Sequence, residues 1–144
     1  FEKTHVDAKI PSKNNPSDTG FDVSCVEDKL IPARGSAVVD AGLNFAYITP
    51  GFWVKIEGRS GLGFKHGIIP HPGIIDSGYR GEIMLKFSFL EDGVLYKIGD
   101  KVAQIILMSY PKITFLEVDE LSDTERGEGG FGSSDESYEG PISL

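Results

Sequence analysis

The 144-residue chain has little cysteine, little histidine, a shortage of positive charge and no long apolar run. A single cysteine, Cys25, excludes an intramolecular disulfide framework, so nothing points to an oxidising compartment. Cys25 stands two residues from Val23 and four from Phe21, on one face of an expected strand, where it reads as a small core hydrophobe. The three histidines, His5, His66 and His71, lack the spacing of a zinc site, and no G-x-S-x-G elbow signals a nucleophilic serine. No segment is apolar for long enough to cross a bilayer, and Phe1-Glu2-Lys3-Thr4-His5 lacks the apolar heart of a signal peptide. The expectation is a soluble, intracellular, cytoplasmic protein with no membrane partner, an organellar or viral origin being left open. Only 14 Lys and Arg face 22 Asp and Glu, a formal net charge of -8. Such a chain repels the phosphate backbone of DNA or RNA, which argues against a nucleic-acid partner. A single small polyanion is different, because a few local basic groups and backbone N–H donors can hold it whatever the net charge.

What is present is alternation. Val6, Ala8 and Ile10 alternate with polar neighbours, as do Phe52, Val54 and Ile56, and Ile83, Leu85, Phe87 and Phe89. Turn signals separate these runs at Thr49-Pro50-Gly51, Pro72-Gly73, Glu91-Asp92-Gly93 and Gly99-Asp100, and Asp92-Gly93 reads as a hairpin. With 18 glycines and 8 prolines between short strands, the fold class is all-β, a distorted jelly roll or β-barrel. Residues 60–65 are the one stretch suited to a short helical turn, with Ser60 placed to cap it. After about Val118 the chain turns acidic and rich in serine and glycine. The organisation expected is a single β core over residues 1–118 and a flexible C-terminal arm over 119–144.

Three segments carry chemistry on their own residues. In the arm, Arg126-Gly127-Glu128-Gly129-Gly130-Phe131-Gly132-Ser133-Ser134 satisfies G-x-G-x-x-G, but no βαβ unit surrounds it, so it is not a dinucleotide fingerprint. Its glycine N–H groups can wrap an anion, Arg126 can fork onto a phosphate and Phe131 offers a flat face to a base, the makings of a lid. Gly58-Arg59-Ser60-Gly61-Leu62-Gly63-Phe64-Lys65 is not a Walker motif, because Phe64 stands where the lysine belongs. It can still form an anion site beside Arg59, or an ordinary strand-to-helix turn. In Gly73-Ile74-Ile75-Asp76-Ser77-Gly78-Tyr79-Arg80-Gly81, Asp76 ends an apolar strand and is either a rigidly held general base or a turn former. Thr19-Gly20-Phe21-Asp22-Val23 and Gly99-Asp100-Lys101-Val102-Ala103-Gln104 each set a carboxylate beside a glycine at a strand start.

Taken in order, these segments resemble the motifs of the trimeric dUTPases, from Gly20 to Ser134. The resemblance implies a jelly-roll subunit of a homotrimer that cleaves dUTP between its α and β phosphates, giving dUMP and pyrophosphate with Mg²⁺. By position, Asp76 resembles the carboxylate that orients the attacking water, and Gln104 would help to place that water and the α-phosphate. On the same resemblance Tyr79 would pack on the deoxyribose, leaving no room for a 2′-OH, and the hairpin backbone around Gly73 and Ile75 would read uracil. Asp22 would hold Mg²⁺ through its water shell. Arg59, Ser60 and Gly61 would contact phosphates, Arg126, Gly132 and Ser133 would take the distal ones, and Phe131 would stack on uracil. The resemblance also implies active sites shared between subunits, the arm of one completing a site built by its neighbours.

Two positions depart from the family pattern, Gly78 where an acid usually precedes the tyrosine and Gly63 where alanine is usual. The rival readings are a dCTP deaminase of the same fold, disfavoured because Lys86 stands near where its catalytic glutamate is expected, and a dUTPase-like regulatory, protein-binding protein.

Overall fold

The computed structural model of the chain describes residues 1–71, 73–89 and 93–130. The backbone divides into a compact unit, Phe1–Lys112, and a second unit beginning at Ile113. In chain order the first contains β1 (Glu2–Lys3), β2 (Phe21–Ser24), β3 (Lys29–Ile31), β4 (Ser36–Asn44), β5 (Phe52–Glu57), α1 (Ser60–His66), β6 (Ile68–Pro70), β7 (Gly73–Ile75), β8 (Glu82–Phe89), β9 (Val94–Tyr96) and β10 (Lys101–Ser109). Two antiparallel sheets have the orders β1-β4-β8-β6 and β2-β10-β5-β7, with a separate β3-β9 ribbon. The all-β expectation holds, and the sheets stay open instead of closing into a barrel.

The core lies where alternating strands turn their apolar faces inward. Ile83, Leu85 and Phe87 of β8 are buried, as are Val54 and Ile56 of β5 and Val39, Ala41 and Leu43 of β4. Apart from Ala41, each of these side chains contributes about 1.5–3 kcal/mol of transfer free energy. In β10 the alternation breaks, since neighbours Val102 and Ala103 are both fully buried, at a register shift between Lys101 and Ala103. Without this bulge Lys101 and Gln104 would stand on opposite faces of the strand. Two glycine turns run as the sequence suggests. Phe52 N donates to Thr49 O (3.1 Å) around Gly51 (φ 88°), and Asp100 N donates to Lys97 O (2.9 Å) around Gly99 (φ 86°), each glycine supplying the positive φ of a type II turn.

Four local expectations are corrected. Val6 is 90% exposed and the Val6–Ile10 stretch is not a strand. His5 gathers the backbone into a turn, accepting from Ala8 N at its carbonyl (3.1 Å) and from Asp7 N at Nδ1 (3.2 Å), so only Ala8 reaches the core. Cys25 and Val23 are fully buried, but Phe21 is exposed, with the Lys13 ammonium 4.5 Å above its ring. The runs flanking Asp92-Gly93 do not form a hairpin with each other: β8 pairs with β4 and β6, and β9 pairs with β3. Glu91 and Asp92 lie outside the described residues. Finally, α1 is a true if short helix whose N-cap is Arg59, in extended conformation, with no side-chain capping bond. Ser60 is its first helical residue, one position too late to cap. Gly67, in the left-handed region at φ 63°, ends the helix by donating to Gly63 O (3.0 Å).

Candidate active site

The site residues of the compact unit fall into two groups, and β5 separates them. The first gathers at the end of β5. Gln104 of β10 lies opposite Asp22 of β2 on one side and Glu57 of β5 on the other. Its amide donates from Nε2 to Gly58 O (2.9 Å), and Gly20 makes room for it, since a Cβ there would come within 2.8 Å of Gln104 Cδ. Asp22 sits among cations: Oδ1 is 3.3 Å from Arg59 Nε and Oδ2 2.8 Å from Lys101 Nζ, with 16% of its side chain exposed. Arg59 Nη1 also donates to Lys101 O (3.2 Å), which ties the loop before α1 to the start of β10.

Asp22, Arg59 and Gln104 line a cavity of about 440 Å³ together with Ser60, Gly61, Leu62, Lys65 and His66. Nothing lies within 4 Å of where a Cβ on Gly61 would stand, so packing does not demand glycine there, and its backbone borders open space. Two cations, Arg59 and Lys101, hold the one carboxylate, and Lys65 adds a third positive charge to the cavity lining, in a chain whose net charge is -8. Behind them, Cys25 donates from Sγ to Lys97 O (2.9 Å), and burial pushes its thiol upward. Burial likewise pushes the Tyr96 phenol up to about 12. Both stay protonated at neutral pH and add no negative charge beside Arg59 and Lys101. Lys65 and His66 are pocket residues that sequence reasoning missed as such. Local sequence does not mark them, because which side of a short helix faces a cavity is decided by its docking.

The second group surrounds the end of β7, an edge strand beside β5. A cavity of about 290 Å³ is lined by Ile56, Gly73, Ile75, Asp76, Tyr79 and Glu82, among others. Ile75 is buried, and among the described residues the outer edge of β7 has no partner strand. Gly73 lets β7 press on β5, as a Cβ there would meet Ile56 Cβ at 2.8 Å. After Asp76 the chain turns, with Tyr79 N donating to Asp76 O (3.0 Å). Arg80 Nη1 clips this turn by donating to Ser77 O (2.8 Å) and Tyr79 O (2.9 Å). The Tyr79 hydroxyl donates to Glu82 O (3.1 Å), and its ring lies across Gly81, where a Cβ would stand 2.6 Å from Cζ. The Asp76 carboxylate is exposed, and the same residue borders a further cavity with Trp53 and Tyr110.

The register fixes how far apart the two groups are. Ile75 pairs with Val54 while Gln104 pairs with Glu57, so Asp76 is level with Trp53, four residues along β5 from Gln104 and on the opposite side of that strand. At 3.3 Å per residue this is roughly 13 Å lengthwise, and two interstrand spacings add about 10 Å across. Within one chain the candidate base and the candidate phosphate residues therefore face different cavities.

In the second unit, Arg126 is the candidate within the described residues. Its Nε donates to Gly129 O (2.9 Å), and Gly127, at φ 50°, donates to the carbonyl (3.1 Å) and hydroxyl (3.0 Å) of Thr124. Phe131, Gly132 and Ser133 lie outside the described residues. Among the described residues no group of three or more His, Cys, Asp or Glu side chains could cage a metal ion, and no helix is long and apolar enough to cross a membrane.

The chain is similar to known proteins in sequence and in fold. The family model described as dUTPase matches residues 6–135. A deoxyuridine 5'-triphosphate nucleotidohydrolase of Helicobacter hepaticus is 44% identical over 138 residues, covering 93% of this chain and 86% of that protein. The Arabidopsis thaliana protein of the same name is 38% identical over 128 residues, 88% of this chain and 76% of its own. In fold, the chain resembles the Staphylococcus bacteriophage 80alpha dUTPase solved with dUpNHpp, at TM-score 0.83 and 22% identity over 92% of this chain and 95% of that one. It also resembles a phage phi11 dUTPase variant solved for the coordination of a structural Mg(II) ion, at TM-score 0.76 and 19% identity over 85% and 97%.

Proposed function

The chain belongs to the dUTPase family, and from that premise we propose that it hydrolyses dUTP to dUMP and pyrophosphate in a site completed by other copies of itself. The observation that carries the composite site is the separation across β5. Among its described residues, one chain offers a cationic pocket without a free carboxylate to activate water, and, elsewhere, an exposed carboxylate beside a nucleoside-sized cavity without cations. Each half supplies what the other lacks, which a homotrimer joining them brings together.

The roles follow from the chemistry of each half. Asp76 takes a proton from water as it attacks the α-phosphorus, and the bond from that phosphorus to the bridging oxygen breaks, releasing pyrophosphate. Gln104, held through Nε2 on Gly58 O, keeps its amide beside the phosphate pocket and helps to place the water. Arg59, Ser60 and the bare backbone of Gly61 bind phosphate oxygens, with Arg126, Gly132 and Ser133 on the distal ones and Phe131 on the base. On the nucleoside side, the backbone of Gly73 and Ile75 reads the uracil edge, and the Tyr79 ring, braced on Gly81, fills the space a 2′-OH would need.

A single half-buried carboxylate facing the phosphate pocket suits Mg²⁺, which keeps most of its waters and binds through one or two carboxylates plus substrate phosphates. Asp22 is the residue that would hold it, through water, and when bound it neutralises charge on the triphosphate. The test is a substrate panel. Pyrophosphate release from dUTP should far exceed release from UTP, dTTP or dCTP and should require Mg²⁺. Equal turnover of UTP would sink the role of Tyr79, and ammonia release from dCTP would select a deaminase instead.

A further inference from the structure

Asp22 answers two cations at once, one on each carboxylate oxygen, and one of them is fixed on several sides. Besides its 2.8 Å contact with Asp22 Oδ2, the Lys101 ammonium donates to Asn14 Oδ1 (2.6 Å). The Lys101 carbonyl accepts from Arg59, the partner of Oδ1, so both cations belong to one bonded frame. The β10 bulge places Lys101 on the same side as Gln104, and Lys65 adds a further positive charge to the cavity. With 16% of the Asp22 side chain exposed, anything approaching this carboxylate displaces fixed charges more than it displaces water.

A bare divalent cation entering here meets net positive charge and offers Arg59 and Lys101 nothing in exchange. A polyphosphate gives both of them new partners and so frees the carboxylate. The geometry points to Lys101 as a positioning residue that keeps Asp22 closed to free divalent cation and yields it once the phosphates arrive. This rests on the reading of Asp22 as the Mg²⁺-holding carboxylate. It implies an order of events in which the metal arrives with the nucleotide and does not wait in the empty site.

The experiment titrates the full chain, without nucleotide, with Mn²⁺ alone and follows free Mn²⁺ by electron paramagnetic resonance. Lys101→Met should bind Mn²⁺ at least about tenfold more tightly than the wild type, the effect of removing one unit charge that opposes a divalent ion at short range. Lys101→Arg should behave as wild type, and adding Asp22→Asn to Lys101→Met should abolish the gain. Lys101→Gln provides the same readout if the methionine variant does not fold. Equal binding by wild type and the neutral variants, or a gain that survives Asp22→Asn, overturns the inference while leaving the role of Asp22 intact. An Asp22→Asn enzyme with unchanged Mg²⁺ dependence of dUTP turnover overturns both.

Discussion

Replacing Gly81 with alanine removes no catalytic group, yet it should disable sugar recognition. The added Cβ would stand 2.6 Å from Tyr79 Cζ and 3.0 Å from Cε2, whereas carbon atoms pack best at about 3.5–4.0 Å. The ring must withdraw by about 1 Å, and it can, being 45% exposed. Moving it breaks the Tyr79 hydroxyl bond to Glu82 O, a net loss of about 1 kcal/mol. For a domain of this size that lowers Tm by about 2–4 °C. The functional loss should be larger, because misplacement by about 1 Å can cost 10²-fold in rate. We expect kcat/KM for dUTP to fall by about that factor, and the ratio of dUTP to UTP turnover to fall with it. Tyr79→Phe is the control: it loses the hydrogen bond and a similar increment of Tm but keeps the ring over Gly81, so discrimination should persist. A Gly81→Ala enzyme with wild-type melting and a wild-type dUTP to UTP ratio would refute the reasoning.

Other outcomes are equally specific. Asp76→Ala should lower kcat by at least ~10²–10⁴ if the carboxylate is the general base; a loss under about threefold in folded protein returns it to the role of turn former. Asp76→Ala and Arg126→Ala chains, unfolded together and reassembled, should recover part of the activity neither has alone, and mixtures as inactive as the parents would argue against shared sites. Burial pushes the Tyr96 phenol up from its ordinary value of 10.0 to about 12, so its neutral form is the one the fold favours. Its contribution to stability is complete below pH 10 and is lost as pH rises toward 12, which melting curves across that range should show. Tyr96→Phe should remove that alkaline loss. At neutral pH it should melt no lower than wild type, since the buried hydroxyl has no hydrogen-bond partner to lose among the described residues.

The sequence made legible what depends on short-range pattern. Alternation located β5 and β8, glycine chemistry located the turns at Gly51 and Gly99, and the ordered motifs pointed to the family. What it hid was pairing. Alternation at Val6, Ala8 and Ile10 has the period of a strand, but a strand needs a neighbour, and His5 satisfies that backbone locally first. Asp92-Gly93 had the chemistry of a hairpin, yet β9 found β3 across more than sixty intervening residues. The bulge that turns Lys101 toward Asp22 leaves no mark in composition, because Val102 and Ala103 fit either register. The cation arrangement around Asp22, and with it the part played by Lys65 and His66, exists only after β2, β10 and the loop before α1 are docked.

The placement of Asp76 and Gln104 across β5 has a consequence for how the protein behaves in solution. If a lone subunit carries two half-sites and no whole one, specific activity becomes a property of concentration. Dilution below the association midpoint should silence turnover while circular dichroism and melting still report intact β structure. Saturating substrate, by bridging the halves, should shift that midpoint toward lower protein, so that the nucleotide acts as glue for the assembly that consumes it.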